Sequence, residues 1–254
     1  MNRCETLKLF DYSIFTSTLD QINVDSKCVI NTLNQYSYII GEKDPKFKKA
    51  LLSSDFLLPD GIGITGAVRI LKGIHIKKIA GADLHIHLLK KLDAEKGSCF
   101  YLGSSAETLE GICRNLIVEY PNIRVGVYSP PFKKVFTDAE NAEMVSYINA
   151  FKPDVLFVGM TAPKQETWVF ENKDKLFVKT ICSIGAVFDF YSGTVKRPSK
   201  FWIDLGLEWF VRFLYDPNHL WKRYLVYGPV FIYLVFKEKF LMLTDKSRGR
   251  EMAK

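Results

Sequence analysis

Side chains that could move a proton or orient a hydroxyl fall in four short clusters along the chain. The first is Asn31-Thr32-Leu33-Asn34, which ends an apolar run and offers hydrogen-bonding groups where a strand would stop. The second, Leu57-Leu58-Pro59-Asp60-Gly61-Ile62-Gly63, sets a lone carboxylate at the start of a helical pattern. An Asp in that place suits either of two jobs, capping free helix N–H groups or taking a proton from an attacking hydroxyl. The third, Gly159-Met160-Thr161-Ala162-Pro163-Lys164-Gln165-Glu166, ends a strand in glycine and opens a helix beside a lysine. That arrangement can bind phosphate, and it is equally an ordinary strand-to-helix turn. The fourth, Gly185-Ala186-Val187-Phe188-Asp189, repeats the order of strand, glycine and acid.

Other candidates carry less. Asp83 in Gly81-Ala82-Asp83 reads as a helix cap. His85 and His87 lie two apart on a predicted helix and point away from each other, so they make no metal pair. There is no Asp-x-Asp and no GxxxxGK[ST] phosphate loop. Gly61, Gly63 and Gly66 spell GxGxxG, but Leu-Pro-Asp stands where a strand should feed that turn. A nucleotide-cofactor oxidoreductase built on this segment is the rival enzymatic reading.

The elements that must position these groups follow from periodicity. Apolar runs at 28–32, 98–103, 123–128, 155–159 and 178–185 read as strands, the later ones buried on both faces. Helical patterns cover 60–72, 83–92, 106–120, 138–151 and 165–173. The alternation predicts an α/β fold with a mainly parallel sheet flanked by helices, its ligand beyond the carboxyl ends of the strands. The strand-ending glycines Gly103, Gly159 and Gly185, with Lys164 and Asp189, are therefore candidate substrate-binding residues. Alternation stops near 196. Helical, aromatic sequence follows over 205–214 and 220–243, with a break expected at Gly228-Pro229. We expect a catalytic domain over 1–195 and an appendage over 196–254.

With 48% hydrophobic and 25% charged residues in 254, the chain buries a real core, which excludes a disordered chain or a coiled coil. The net charge of +7 is uneven: residues 196–254 hold 12 Lys/Arg against 6 Asp/Glu, together with Trp202, Trp209 and Trp221. A basic, aromatic tail suits a polyanionic partner such as a lipid surface or a diphosphate. A non-enzymatic membrane or nucleic-acid binding module is the rival it suggests. The five cysteines form no CxxC pair and read as buried thiols of a reducing compartment. No signal peptide is expected, and the longest apolar run, 225–236, is too short to span a bilayer.

Taken in order, the clusters resemble the WecG/TagA/CpsF group, glycosyltransferase family 26, from about 29 to 236. The resemblance rests on the four clusters above with Trp168, on Gly81-Ala82-Asp83, and on Arg197-Pro198 followed by Gly206-Leu207-Glu208-Trp209. Arg212, Pro217 and Trp221-Lys222-Arg223-Tyr224 complete it. It implies a distinct α/β fold with a membrane-targeting appendage. It also implies an inverting transfer, without metal or cofactor, from a UDP-sugar to an undecaprenyl-diphosphate-linked sugar. The sugar moved would be N-acetylmannosamine or a relative, for teichoic acid, capsule or exopolysaccharide. The place implied is the cytoplasmic face of the membrane, with an anionic lipid surface and self-association as partners and no nucleic acid. Asp60 matches the family's general base, Thr32 and Asn34 line the donor sugar, and Gln165 stands near the reacting groups. Lys78 stands where the family usually carries Arg and lacks that residue's bidentate fork. Arg212 matches a family arginine, and His219 and Lys222 replace others, which implies weaker or differently arranged diphosphate contacts from the tail.

Overall fold

The computed structural model describes residues 5–22, 26–196 and 198–251, and no side chain at 200, 204, 219 or 245–251. An antiparallel hairpin, β1 (Thr6–Leu9) and β2 (Tyr12–Phe15), comes first. Six strands follow: β3 (Cys28–Leu33), β4 (Phe56–Pro59), β5 (Ser98–Gly103), β6 (Arg124–Tyr128), β7 (Val155–Gly159) and β8 (Thr180–Ser183). All pair in parallel, in the order β4-β3-β8-β7-β5-β6.

Helices make the crossovers. They are α1 (Gln35–Lys43), α2 (Pro45–Leu52), α3 (Ile62–Lys72), α4 (Gly81–Glu95), α5 (Ala106–Glu119), α6 (Asp138–Phe151) and α7 (Lys164–Asn172). The short α8 (Val187–Ser192) follows β8. Side chains alternate across the strands, so one sheet face packs Ile30, Leu58, Tyr101 and Phe157 under α4, α5 and α8. The other packs Val29, Leu102, Leu156 and Ile181 against α6 and α7. Both faces are covered, which is why the strands read as continuous apolar runs.

Beyond the sheet lie α9 (Lys200–Asp204), α10 (Glu208–Tyr215), α11 (Pro217–Trp221), a π-helical turn (Lys222–Val226) and α12 (Tyr227–Glu251). Phe231 and Val235 of α12 enter a third core cluster with Tyr38 and Ile39 of α1 and Ile64 and Val68 of α3. The chain stays helical through Gly228-Pro229, and the irregularity falls just before it, in the π-helical turn Lys222–Val226, ahead of a proline that cannot complete the α-helical ladder.

The strand β4 was not expected, because it is four residues long and ends in proline. It lies at the sheet edge, where a proline costs no ladder bond. A strand does therefore feed the Gly61 turn, contrary to the sequence reading. Gly63 nonetheless packs on α1: a Cβ there would lie 2.8 Å from Gln35 Oε1, so that face of the turn is filled by Gln35. Cys28, Cys99 and Cys182 are buried free thiols and Cys113 is a half-buried one, while Cys4, like Arg197, falls outside the described residues.

Candidate active site

The candidate residues gather where strand ends meet. Ile30 and Leu58 face the core under α4, and two residues on, Thr32 and Asp60 continue that side past it. The Asp60 N–H donates to Leu33 O (2.9 Å), and the Ile79 N–H donates to Pro59 O (2.9 Å). Those two bonds draw the ends of β3 and β4 and the segment carrying Lys78 together.

The two aspartates at predicted helix starts part company here. The Asp83 carboxylate accepts the Ala80 N–H at 2.9 Å and caps the first turn of α4. Helix α3 instead starts at Ile62 with Gly61 (φ 86°) as its cap residue and no side-chain cap bond. Asp60 is thus not a helix cap. It keeps an edge in contact with solvent but is otherwise enclosed by protein. Burial pushes its carboxyl above the usual range, against the opposing charge of Arg223; Glu208 adds to the rise, while Lys78 and Arg212 oppose it.

Those charges come from three segments. Lys78 pairs with Glu208 of α10 at 3.0 Å. The Arg212 guanidinium lies over the Phe190 ring at 5.1 Å and opposes the burial that raises Asp189. Arg223 lies over the Tyr36 ring at 5.2 Å, and its Nε is buried without a partner among the described residues. Sequence reasoning passed over Arg223 in favour of Lys222. The structure leaves Lys222 exposed, its Nζ 5.5 Å from the centre of the Trp221 ring. Both residues lie in the π-helical turn, just ahead of the Gly228-Pro229 pair that signals an irregularity in the helix. The His219 side chain lies outside the described residues.

The remaining candidates line the strand ends. Thr32 is half-buried, and Asn34 caps α1 by accepting the Ser37 N–H at 3.0 Å. Buried Gln165 accepts the Met160 N–H (3.2 Å) and donates to Glu166 (2.9 Å), with its amide beside Gly185. Packing accounts for the other two glycines. A Cβ on Gly103 (φ 118°) would lie 2.4 Å from Gly159 O, and one on Gly159 would strike the Phe188 ring at 2.4 Å. Lys164 donates to Lys133 O and lies over Phe136, clasping the β6–α6 connection onto α7. His85 is buried against Tyr101 (2.7 Å) and held neutral, its pKa lowered by burial to about 3, apart from half-buried His87. Among the described residues no three His, Cys, Asp or Glu side chains gather into a metal site.

The fold defines an α/β protein that sets a carboxylate with no capping bond among three basic side chains, an arrangement suited to an anionic ligand. The pattern of the WecG/TagA/CpsF glycosyl transferase family matches residues 8–244, and the chain belongs to that family. It is similar to the N-acetylglucosaminyldiphosphoundecaprenol N-acetyl-beta-D-mannosaminyltransferase of Bacillus subtilis (strain 168), with 32% identity over 228 residues, 89% of this chain and 86% of the relative. An enzyme of the same name from Staphylococcus aureus (strain MRSA252) is 27% identical over 237 residues, covering 92% and 86%.

Proposed function

We propose that this glycosyltransferase moves a hexosyl group, N-acetylmannosamine, from a UDP-sugar to undecaprenyl-diphosphate-linked N-acetylglucosamine, inverting the anomeric centre without a metal. The observation that carries the reading is Asp60: a carboxylate with no capping duty, enclosed, and surrounded by Arg223, Lys78 and Arg212. The three cations would bind the donor diphosphate. As the acceptor hydroxyl oxygen attacks the anomeric carbon, its proton passes to Asp60 and the bond to the diphosphate breaks on the opposite face. UDP then leaves with the bonding electron pair. A carboxyl raised toward neutrality is a better base than an ordinary one. Thr32, Asn34 and Gln165 would orient the sugar and the hydroxyl.

In this reading 1–195 perform the chemistry, while 196–254 bring the enzyme to the cytoplasmic face of the membrane and close over the donor. Support comes from exposed Phe201, Trp202, Phe210, Trp221, Phe236 and Phe240 among basic residues, the mixture that suits a headgroup layer. Among the described residues no helix is long and apolar enough to cross a membrane. The test is UDP release from a panel of UDP-sugars, with a short-chain polyprenyl-diphosphate-N-acetylglucosamine acceptor and EDTA. Acceptor-dependent release from UDP-N-acetylmannosamine, unchanged by EDTA, is expected. Release from no donor, or release abolished by EDTA, would overturn the proposal.

A further inference from the structure

We propose that Glu166 is a positioning residue for the transfer: it locks the Gln165 amide so that one Nε2 hydrogen is directed to the substrate at the strand ends. The inference rests on the transferase reading above. Gln165 and Glu166 form the first turn of α7 and are only 5% and 2% exposed. Gln165 Oε1 accepts the Met160 N–H at 3.2 Å, and Nε2 donates to Glu166 Oε1 at 2.9 Å. Turning the amide over would set its NH2 against the Met160 N–H and its oxygen against the carboxylate. Both contacts would become repulsive, so the orientation is fixed. One Nε2 hydrogen then has no partner among the described residues, beside Gly185 at the carboxyl end of β8.

Glu166 is a costly way to hold an amide. Its Oε2 is buried with no partner, a cost that a packed apolar side chain would not incur. Burial raises its pKa to about 7, against the opposing hydrogen bonds from Gln165 and from its own backbone. The titratable group facing it from α1 is Tyr36, with Arg223 stacked over that ring. Helix α2, also packed on α7, brings Lys46 to Glu171 and Lys49 over Phe170, further along the helix. None of these contacts gives Glu166 a strong ion pair, so its charge changes near neutral pH. Ionised Glu166 grips Gln165 with a charge-assisted bond; protonation weakens that grip. Transfer should therefore gain speed as pH rises through about 7.

Two variants of the full chain test this. Glu166→Leu removes the acceptor: kcat should fall about ten- to a hundred-fold while KM for the UDP-sugar stays within about two-fold. Glu166→Gln keeps an acceptor oxygen but cannot titrate, so most of kcat should survive while the limb of the kcat–pH profile near 7 disappears. A Glu166→Leu enzyme that melts lower but turns over at the wild-type rate would overturn the assignment, as would an unchanged pH limb in Glu166→Gln. Wild type making no product would instead be the failure of the transferase reading itself.

Discussion

The rim of the sheet and the helical appendage face the same carboxylate by different physical means. At the rim, position is set by backbone: Asp60 and Ile79 each donate a 2.9 Å bond to a neighbouring segment, and the Gly103 and Gly159 chains approach closer than any side chain would allow. From Phe201 onward, only Phe231 and Val235 are buried hydrophobics among the described residues. The appendage meets the rim through long charged side chains: Glu208 on Lys78, Arg212 over Phe190, Arg223 over Tyr36. The contrast matches what the proposed single displacement would need. A base must be held to within a fraction of an ångström of its proton, whereas Coulomb attraction to a diphosphate falls off gently and tolerates movement.

Variants can break this contrast. Phe231→Ala should cost about 3–5 kcal/mol in urea unfolding because Phe231 belongs to the body's core. Phe240→Ala, 66% exposed, should change stability by about 0.5 kcal/mol or less and weaken binding to anionic vesicles instead. Equal losses would mean that α12 packs as one piece. Next in size, Arg223→Ala should lower kcat/KM for the UDP-sugar by about 1.5–3 kcal/mol, the worth of a charged hydrogen bond. The exposed Lys222→Ala should cost under about 1 kcal/mol. The reverse ranking would return the diphosphate to Lys222. The smallest effect is on stability against pH. Burial holds folded Asp60 above its unfolded pKa of 3.8, so its contribution is present below that pH and lost as pH rises toward the folded pKa. Asp60→Asn should accordingly melt a few degrees higher than wild type near pH 7 and match it near pH 4; a lower melting temperature at pH 7 would refute the raised pKa.

The sequence made the body legible because buried parallel strands and amphipathic helices repeat strong local patterns. Strands 98–103 and 155–159 and helix 138–151 emerge at those bounds. The hairpin and β4 hid because their four residues mix polar and apolar types or end in proline, whereas β8, equally short, sits inside a longer apolar run. Helix α1, with the sequence QYSYIIGEK, is rich in residues that favour strands and is helical through its packing. At the site, local sequence left Asp60 open between cap and base and read Asp83 as a cap; the structure gives the capping bond to Asp83 and none to Asp60. Gly228-Pro229 signalled an irregular helix but not that Arg223 would be the half-buried residue and Lys222 the exposed one.

The most direct test of the central claim is single-turnover transfer by Asp60→Asn beside wild type, with UDP affinity measured on both by calorimetry. The account predicts that the transfer rate falls about 10²–10⁴-fold while the UDP dissociation constant stays nearly unchanged. An Asp60→Asn enzyme that transfers sugar at the wild-type rate would contradict it, and the base would then have to be sought elsewhere along the rim.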